Sequence, residues 1–214
     1  MRLMGRRRFV FALAGVALVA LGIRSATRRP APTLINSACQ GAPRMTDRIL
    51  VTYATRTGST AEVADAIASR LCDAGLSAEA RPVTEVTNLE GYSGAVLGSA
   101  VRFASWLPEM TDFVSANRDA LSAMPVAFFT MHMLALGDGP AAVEESAKYT
   151  AEARDLITPT DEVFFEGMID PARLSFLDRL AVRLVKSPVG DRRDRERIAA
   201  WTDRLAPRFA AVPT

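Results

Sequence analysis

Histidine is nearly absent from this chain: His132 stands alone. One imidazole excludes a multi-His metal centre and leaves a Ser-His-Asp triad a single candidate base. Cysteine is confined to Cys39 and Cys72, too few for a disulfide scaffold or a Cys-rich zinc or iron–sulfur site. Cys72 sits mid-helix in ASRLCDAG and reads as a filler of the core. Lysine occurs only at Lys148 and Lys186, and no Asp or Glu precedes Asp47, whereas eight arginines do. Residues 45–214 then hold 18 basic and 24 acidic side chains, a net charge of −6. An acidic body excludes a nucleic-acid footprint spread over the domain. What remains is a globular composition, 49 % hydrophobic and 23 % charged, in 214 residues. That suits one ordinary domain with a tail.

The tail comes first. Residues 9–23 (FVFALAGVALVALGI) are uncharged and lie between Arg8 and Arg24. A spanning helix wants about 20 apolar residues, so this shorter run fits the apolar region of a signal peptide, or a short anchor. Just before it, Gly5-Arg6-Arg7-Arg8-Phe9-Val10 resembles a twin-arginine export signal. The expected division is 1–24 as signal or membrane anchor, 25–46 as linker and 47–210 as the folded domain. The protein is then exported or membrane-associated. Translation from Met45 would instead yield a cytoplasmic protein.

The body alternates strand and helix. Residues 48–54 (RILVTYA), 77–83, 93–98, 125–130 and 162–166 read as strands, the first as a buried apolar run. Residues 60–74, 108–117, 140–156 and 193–209 read as helices; Pro108 suits a first helical turn. Five strands separated by helices predict a parallel sheet covered on both faces. The stretch 167–191 is too long for a simple loop and carries its own helical segment, 174–186.

One turn carries chemistry. The first strand runs into Thr55-Arg56-Thr57-Gly58-Ser59-Thr60 and then into a helix. Unpaired N–H groups and the dipole at a helix start favour an anion. The hydroxyls add donors, and Gly58 permits close backbone approach. No Lys follows the glycine, so this is not a nucleoside-triphosphate loop, and it lacks the glycines of a dinucleotide turn. Neutral donors suit one terminal phosphate monoester.

T-x-T-G-x-T after a first strand resembles the phosphate loop of flavodoxins, over residues 47–209. The resemblance implies an α/β, doubly wound, five-stranded parallel sheet of order 2-1-3-4-5, and FMN as cofactor. It also implies that the loops after the third and fourth strands hold the flavin ring. These are Ser99, Ala100, Val101, Arg102, Phe103 and Trp106, then Thr130, Met131 and His132. Phe103 and Trp106 are the candidates for stacking on the ring, with core packing the alternative for Trp106. His132 either borders the flavin or serves as a loop histidine.

A narrower resemblance follows. LGSAVRF-x-x-W, PVAFFT and FFEGMIDPARLSFLDRLAVRLVKSP-x-GD-x-RD resemble the flavodoxin-type, quinone-dependent protoporphyrinogen oxidases, which carry an insert after strand five. That implies porphyrinogen oxidation with electrons passed to a membrane quinone. The alternative is a non-enzymatic electron carrier serving redox partner proteins. In the insert, Leu174, Leu177, Leu180, Ala181, Leu184 and Val185 form an apolar stripe, and Arg179, Arg183 and Lys186 share a face. Such a helix either rests on an anionic membrane surface, pairs with substrate carboxylates, or packs its stripe on the sheet.

Overall fold

The computed structural model describes residues 27–28, 30–39, 48–134, 136–137 and 139–210. The export signal expected at residues 1–24 and the alternative start at Met45 lie outside the described residues. The strands of the main sheet are β1 (Ser37–Cys39), β2 (Arg48–Ala54), β3 (Ser77–Pro82), β4 (Tyr92–Arg102), β5 (Ser105–Trp106), β6 (Val126–His132) and β7 (Asp161–Glu166). Their order is β1-β3-β2-β4-β6-β7, with β5 paired to β4. The pairs β2·β3, β2·β4, β4·β6 and β6·β7 are parallel. These five strands follow the expected 2-1-3-4-5 order. A separate two-stranded ribbon joins β8 (Met168–Ile169) to β9 (Gly190–Asp191).

The helices are α1 (Ser59–Asp73), α2 (Pro108–Ala116), α3 (Arg118–Ser122), α4 (Pro140–Ala147), α5 (Ala151–Leu156), α6 (Phe176–Leu184) and α7 (Arg195–Ala210). Both faces of the central strands are buried, which is why they read as unbroken apolar runs. Ile49, Val51 and Tyr53 of β2 join Ala61, Ile67 and Leu71 of α1, and Trp201 and Leu205 of α7, in one core. On the opposite face, Leu50 packs with Met110 and Val114 of α2, Leu121 of α3 and Ala153 of α5. Gly98 is dictated by this packing: a Cβ there would stand 1.9 Å from the Phe129 ring.

Three departures from the expected layout have physical causes. Residues 37–39, expected as linker, add an antiparallel edge strand to β3. Cys72 is not a filler: it forms a disulfide with Cys39, across a Cα–Cα distance of 6.2 Å. The helix expected over 140–156 is interrupted by a 3-10 turn at Lys148–Thr150. There, Tyr149 is buried and the Thr150 hydroxyl donates to Glu162 Oε1 at 2.5 Å, so tertiary anchoring overrides the helical run.

Candidate functional site

The carboxyl ends of β2, β4 and β6 carry three loops that converge on a cleft of about 360 Å³. This is where a doubly wound sheet places its ligands. The first loop contributes Arg56, Thr57 and Ser59 to the lining; the second contributes Ala100, Val101, Arg102 and Phe103; the third contributes Met131 and His132. The fourth wall is the insert, through Met168 and Ile169 of β8 and through Leu174, Asp178, Ala181, Val182 and Val185. The insert therefore roofs the cleft and does not pack its stripe on the sheet. No residue of α6 is buried.

The Thr55–Thr60 loop presents hydroxyls and a glycine at the start of a helix. Gly58 caps α1 with φ 88, the left-handed region that glycine tolerates. Its N–H donates to Thr55 Oγ1 at 3.0 Å, which bends the loop back on itself. The N–H groups of the first turn of α1 face the loop without intrahelical partners. Thr60 Oγ1 is buried and has no hydrogen-bond partner among the described residues. A buried hydroxyl left without a partner is costly unless a ligand satisfies it. A phosphate monoester fits that vacancy in the bonding and the turn at Gly58.

The cradle is not made of neutral donors alone. Arg173, from the 3-10 turn Pro171–Arg173, donates Nη1 to the Thr57 carbonyl at 3.2 Å and to Glu62 Oε1 at 3.0 Å. Arg193 donates Nη1 to the Ser59 carbonyl at 3.4 Å and to Glu62 Oε2 at 2.7 Å. Burial raises the Glu62 carboxyl, but hydrogen bonds from Arg193 and then Arg173 hold it below its ordinary range. Asp191 takes the other side of Arg193, whose hydrogen bonds bring its pKa down to about 2. Arg56 is engaged elsewhere, by both oxygens of Glu109. Sequence reading missed Arg173, Arg193 and Glu62 as site residues. For Arg173 and Arg193 the only signal was the DPAR segment of the insert and the RD segment after it, which spacing alone cannot bring to a loop more than a hundred residues away; Glu62, two residues past the loop, read as an ordinary first-turn acid of the helix.

The second loop is a hairpin. Val101 pairs with Trp106 and Arg102 with Ser105. Its turn residues, Phe103 and Ala104, have φ 53 and 58. Two positive φ values are the type I′ pattern, normally given to Asn and Gly. The turn holds Phe103 89 % exposed, with the Arg102 guanidinium 4.9 Å from its ring centre. Arg102 also reaches Asp178 of α6 at 3.3 Å, tying hairpin to roof.

Three expected contacts, Trp106, Thr130 and Ser99, turn away from the cleft, and a fourth, His132, lines it without offering a charge. Trp106 is buried in the core, 4.8 Å from Phe128, and its Nε1–H donates to Thr130 Oγ1 at 2.8 Å. Its ring is therefore unavailable for stacking, and Thr130 is its partner. Ser99 is fully buried and uses its hydroxyl on Ala100 O and the Leu107 N–H. The ring of His132 neighbours those of Tyr149 and Phe164, with Nδ1 against the Leu134 carbonyl. Burial pushes its pKa down, so it contributes the wall of the cleft and not a cation.

A sequence profile of the flavodoxin domain matches residues 50–196. The quinone-type protoporphyrinogen IX dehydrogenase of Escherichia coli is 24 % identical over 163 residues, covering 73 % of this chain and 88 % of that protein. The protein of the same name from Leishmania major is 25 % identical over 183 residues, covering 78 % of this chain and 76 % of its own length. A flavodoxin from Pseudomonas aeruginosa matches with a TM-score of 0.50 at 14 % identity, over 77 % of this chain and 99 % of that one. At that identity the likeness is one of fold.

Proposed function

The chain belongs to the flavodoxin domain family, and from that premise we propose that it binds FMN in the cleft and oxidises a porphyrinogen-class substrate with a quinone as acceptor. In balance, each pair of electrons leaves the substrate with two protons and leaves the enzyme as quinol. Bound FMN supplies the redox chemistry; the protein positions it and sets its surroundings.

The observation that carries this reading is the loop at α1, with its buried, partnerless Thr60 hydroxyl and its left-handed Gly58. Thr57, Ser59 and Thr60 would hold the phosphate, and Arg173 would offset its charge from the roof side. Ala100, Val101, Met131 and the His132 backbone would border the ring, and exposed Phe103 would cover it from the mouth. Mass spectrometry of the cofactor released from native protein should give FMN; FAD alone would overturn the reading. Thr60→Ala and Arg173→Gln should each weaken FMN binding about ten- to a hundredfold, the worth of one hydrogen bond to a charged group. Unchanged affinity removes that residue from the site.

The relatives named above support the reaction class. The roof supports a membrane partner: Phe176, Leu177, Leu180, Leu184 and Val185 of the insert are exposed beside Arg183 and Lys186. Apolar side chains flanked by cations suit an anionic bilayer, the phase in which a quinone dissolves. A plain electron carrier has no use for such a roof. Anaerobic turnover of a porphyrinogen with a quinone separates the two readings, since a carrier gives none. Placement in an oxidising compartment is proposed on the Cys39–Cys72 bond, because disulfides persist there and are rare in the cytosol.

A further inference from the structure

Residues 33–39 are fastened at successive points that lead from the sheet edge to the phosphate loop. Cys39 is bonded to Cys72 of α1. Ser37, Ala38 and Cys39 pair antiparallel with Ala80, Glu79 and Ala78 of β3. Asn36 Nδ2 donates to Glu85 Oε2 at 2.9 Å. The Ile35 N–H donates to the Tyr53 oxygen at 2.7 Å, and the Tyr53 hydroxyl donates back to the Ile35 carbonyl at 2.9 Å. Tyr53 is the penultimate residue of β2, two positions before the loop. Finally, the Thr33 backbone lies against Gly58: a Cβ there would stand 3.1 Å from Thr33 O and 3.3 Å from Thr33 N.

We propose that residues 33–39 form a strap that holds the phosphate loop in its anion-binding shape, with the Cys39–Cys72 disulfide as its lock. The identity of the anion rests on the FMN reading; the strap itself does not. The left-handed turn at Gly58 is the part of the loop most able to relax, because glycine has the widest choice of conformation. Strap backbone fills the space on the side of that turn where a side chain would stand. A three-residue edge strand frays readily by itself, so a covalent tie at Cys39 keeps the strap at high local concentration. An external dithiol opens the tie by exchange. Two electrons and two protons pass to the two sulfurs, and the dithiol leaves as its own cyclic disulfide.

The test uses the full chain loaded with FMN and two readouts. Flavin release is followed by recovery of free-flavin fluorescence after dilution. Hydrogen exchange of residues 33–39 reports the strap without reference to flavin. In a Cys39→Ser/Cys72→Ser variant, and in native protein treated with dithiothreitol, the Ile35 amide should lose protection and FMN should leave at least about tenfold faster. Tyr53→Phe keeps the disulfide and the ring packing, and should give a smaller acceleration with unchanged circular dichroism. Protection that persists without the disulfide overturns the lock. A strap that opens while FMN leaves at the native rate overturns its role in retention. If no form of the protein holds flavin, the FMN reading has failed, and exchange still scores the lock.

Discussion

His132 shows how one side chain is claimed by the core. The residue is 6 % exposed, its ring neighbours those of Tyr149 and Phe164, and its Nδ1 stands against a backbone carbonyl. Burial is the largest influence and lowers its pKa from 6.5, against opposing pulls from the Leu134 carbonyl and Glu166. Below pH 6.5 the unfolded chain therefore takes up a proton that the native protein refuses. Stability from this group is complete above that pH and is lost as the pH falls. Equilibrium unfolding across the acid range should show this loss, and His132→Phe should flatten it. A pH profile identical in the variant would mean that His132 does not titrate differently on folding. Trp106 makes the same point without charge. Its position two residues before a helix placed it near the cleft, but the hydrogen bond to Thr130 decides which way it faces.

Among the elements, α6 departs most from the usual relation between an apolar stripe and burial. Its residues alternate as an amphipathic helix should, Ser175 caps it by accepting from the Asp178 N–H at 3.1 Å, and yet Leu184 stays 75 % exposed. Leu174, Ala181 and Val185 of the stripe line the cleft, and Leu177, Leu180 and Leu184 stay exposed. Replacing Arg179, Arg183 and Lys186 with Gln should leave the fold and FMN content intact, since exposed substitutions usually cost within about 0.5 kcal/mol. Binding to anionic vesicles should weaken by about a hundredfold or more, at about 1 kcal/mol per cation. Flotation with neutral and anionic vesicles measures it, and high salt should mimic the variant. Equal partitioning of variant and native protein would remove the membrane from the function of this helix.

At the scale of the molecule, the disulfide closes a loop with a sequence separation of 33 that includes β2, the phosphate loop and most of α1. In the chain-entropy account, a loop of that length is worth about 3–4 kcal/mol. Opening the bond should lower Tm by roughly 6–16 °C, at 2–4 °C per kcal/mol for a domain of this size. Calorimetry of the oxidised and reduced chain checks this; coincident transitions would mean that the bond adds nothing to global stability. The same bond joins the edge of the sheet to the helix that begins at the phosphate loop. Global stability and the shape of the site are thus linked through one covalent contact.

Local pattern alone predicted the parallel sheet and the turn into a helix at Thr55–Thr60, whereas the strand order came from the resemblance to flavodoxins. Strands buried on both faces must read as apolar runs, and an anion loop must put hydroxyls and glycine at a helix start. Those constraints act over a few residues, so they are written in adjacent letters. Only the tertiary structure decided what long-range contact controls. Arg173 reaches Thr57 across 116 positions, Arg193 reaches Glu62 across 131, and Cys39 finds Cys72 beyond an intervening strand and loop. The direction taken by Trp106 and His132 belongs to the same class. Either way of facing suits the backbone, and the choice falls to the core that each ring happens to meet.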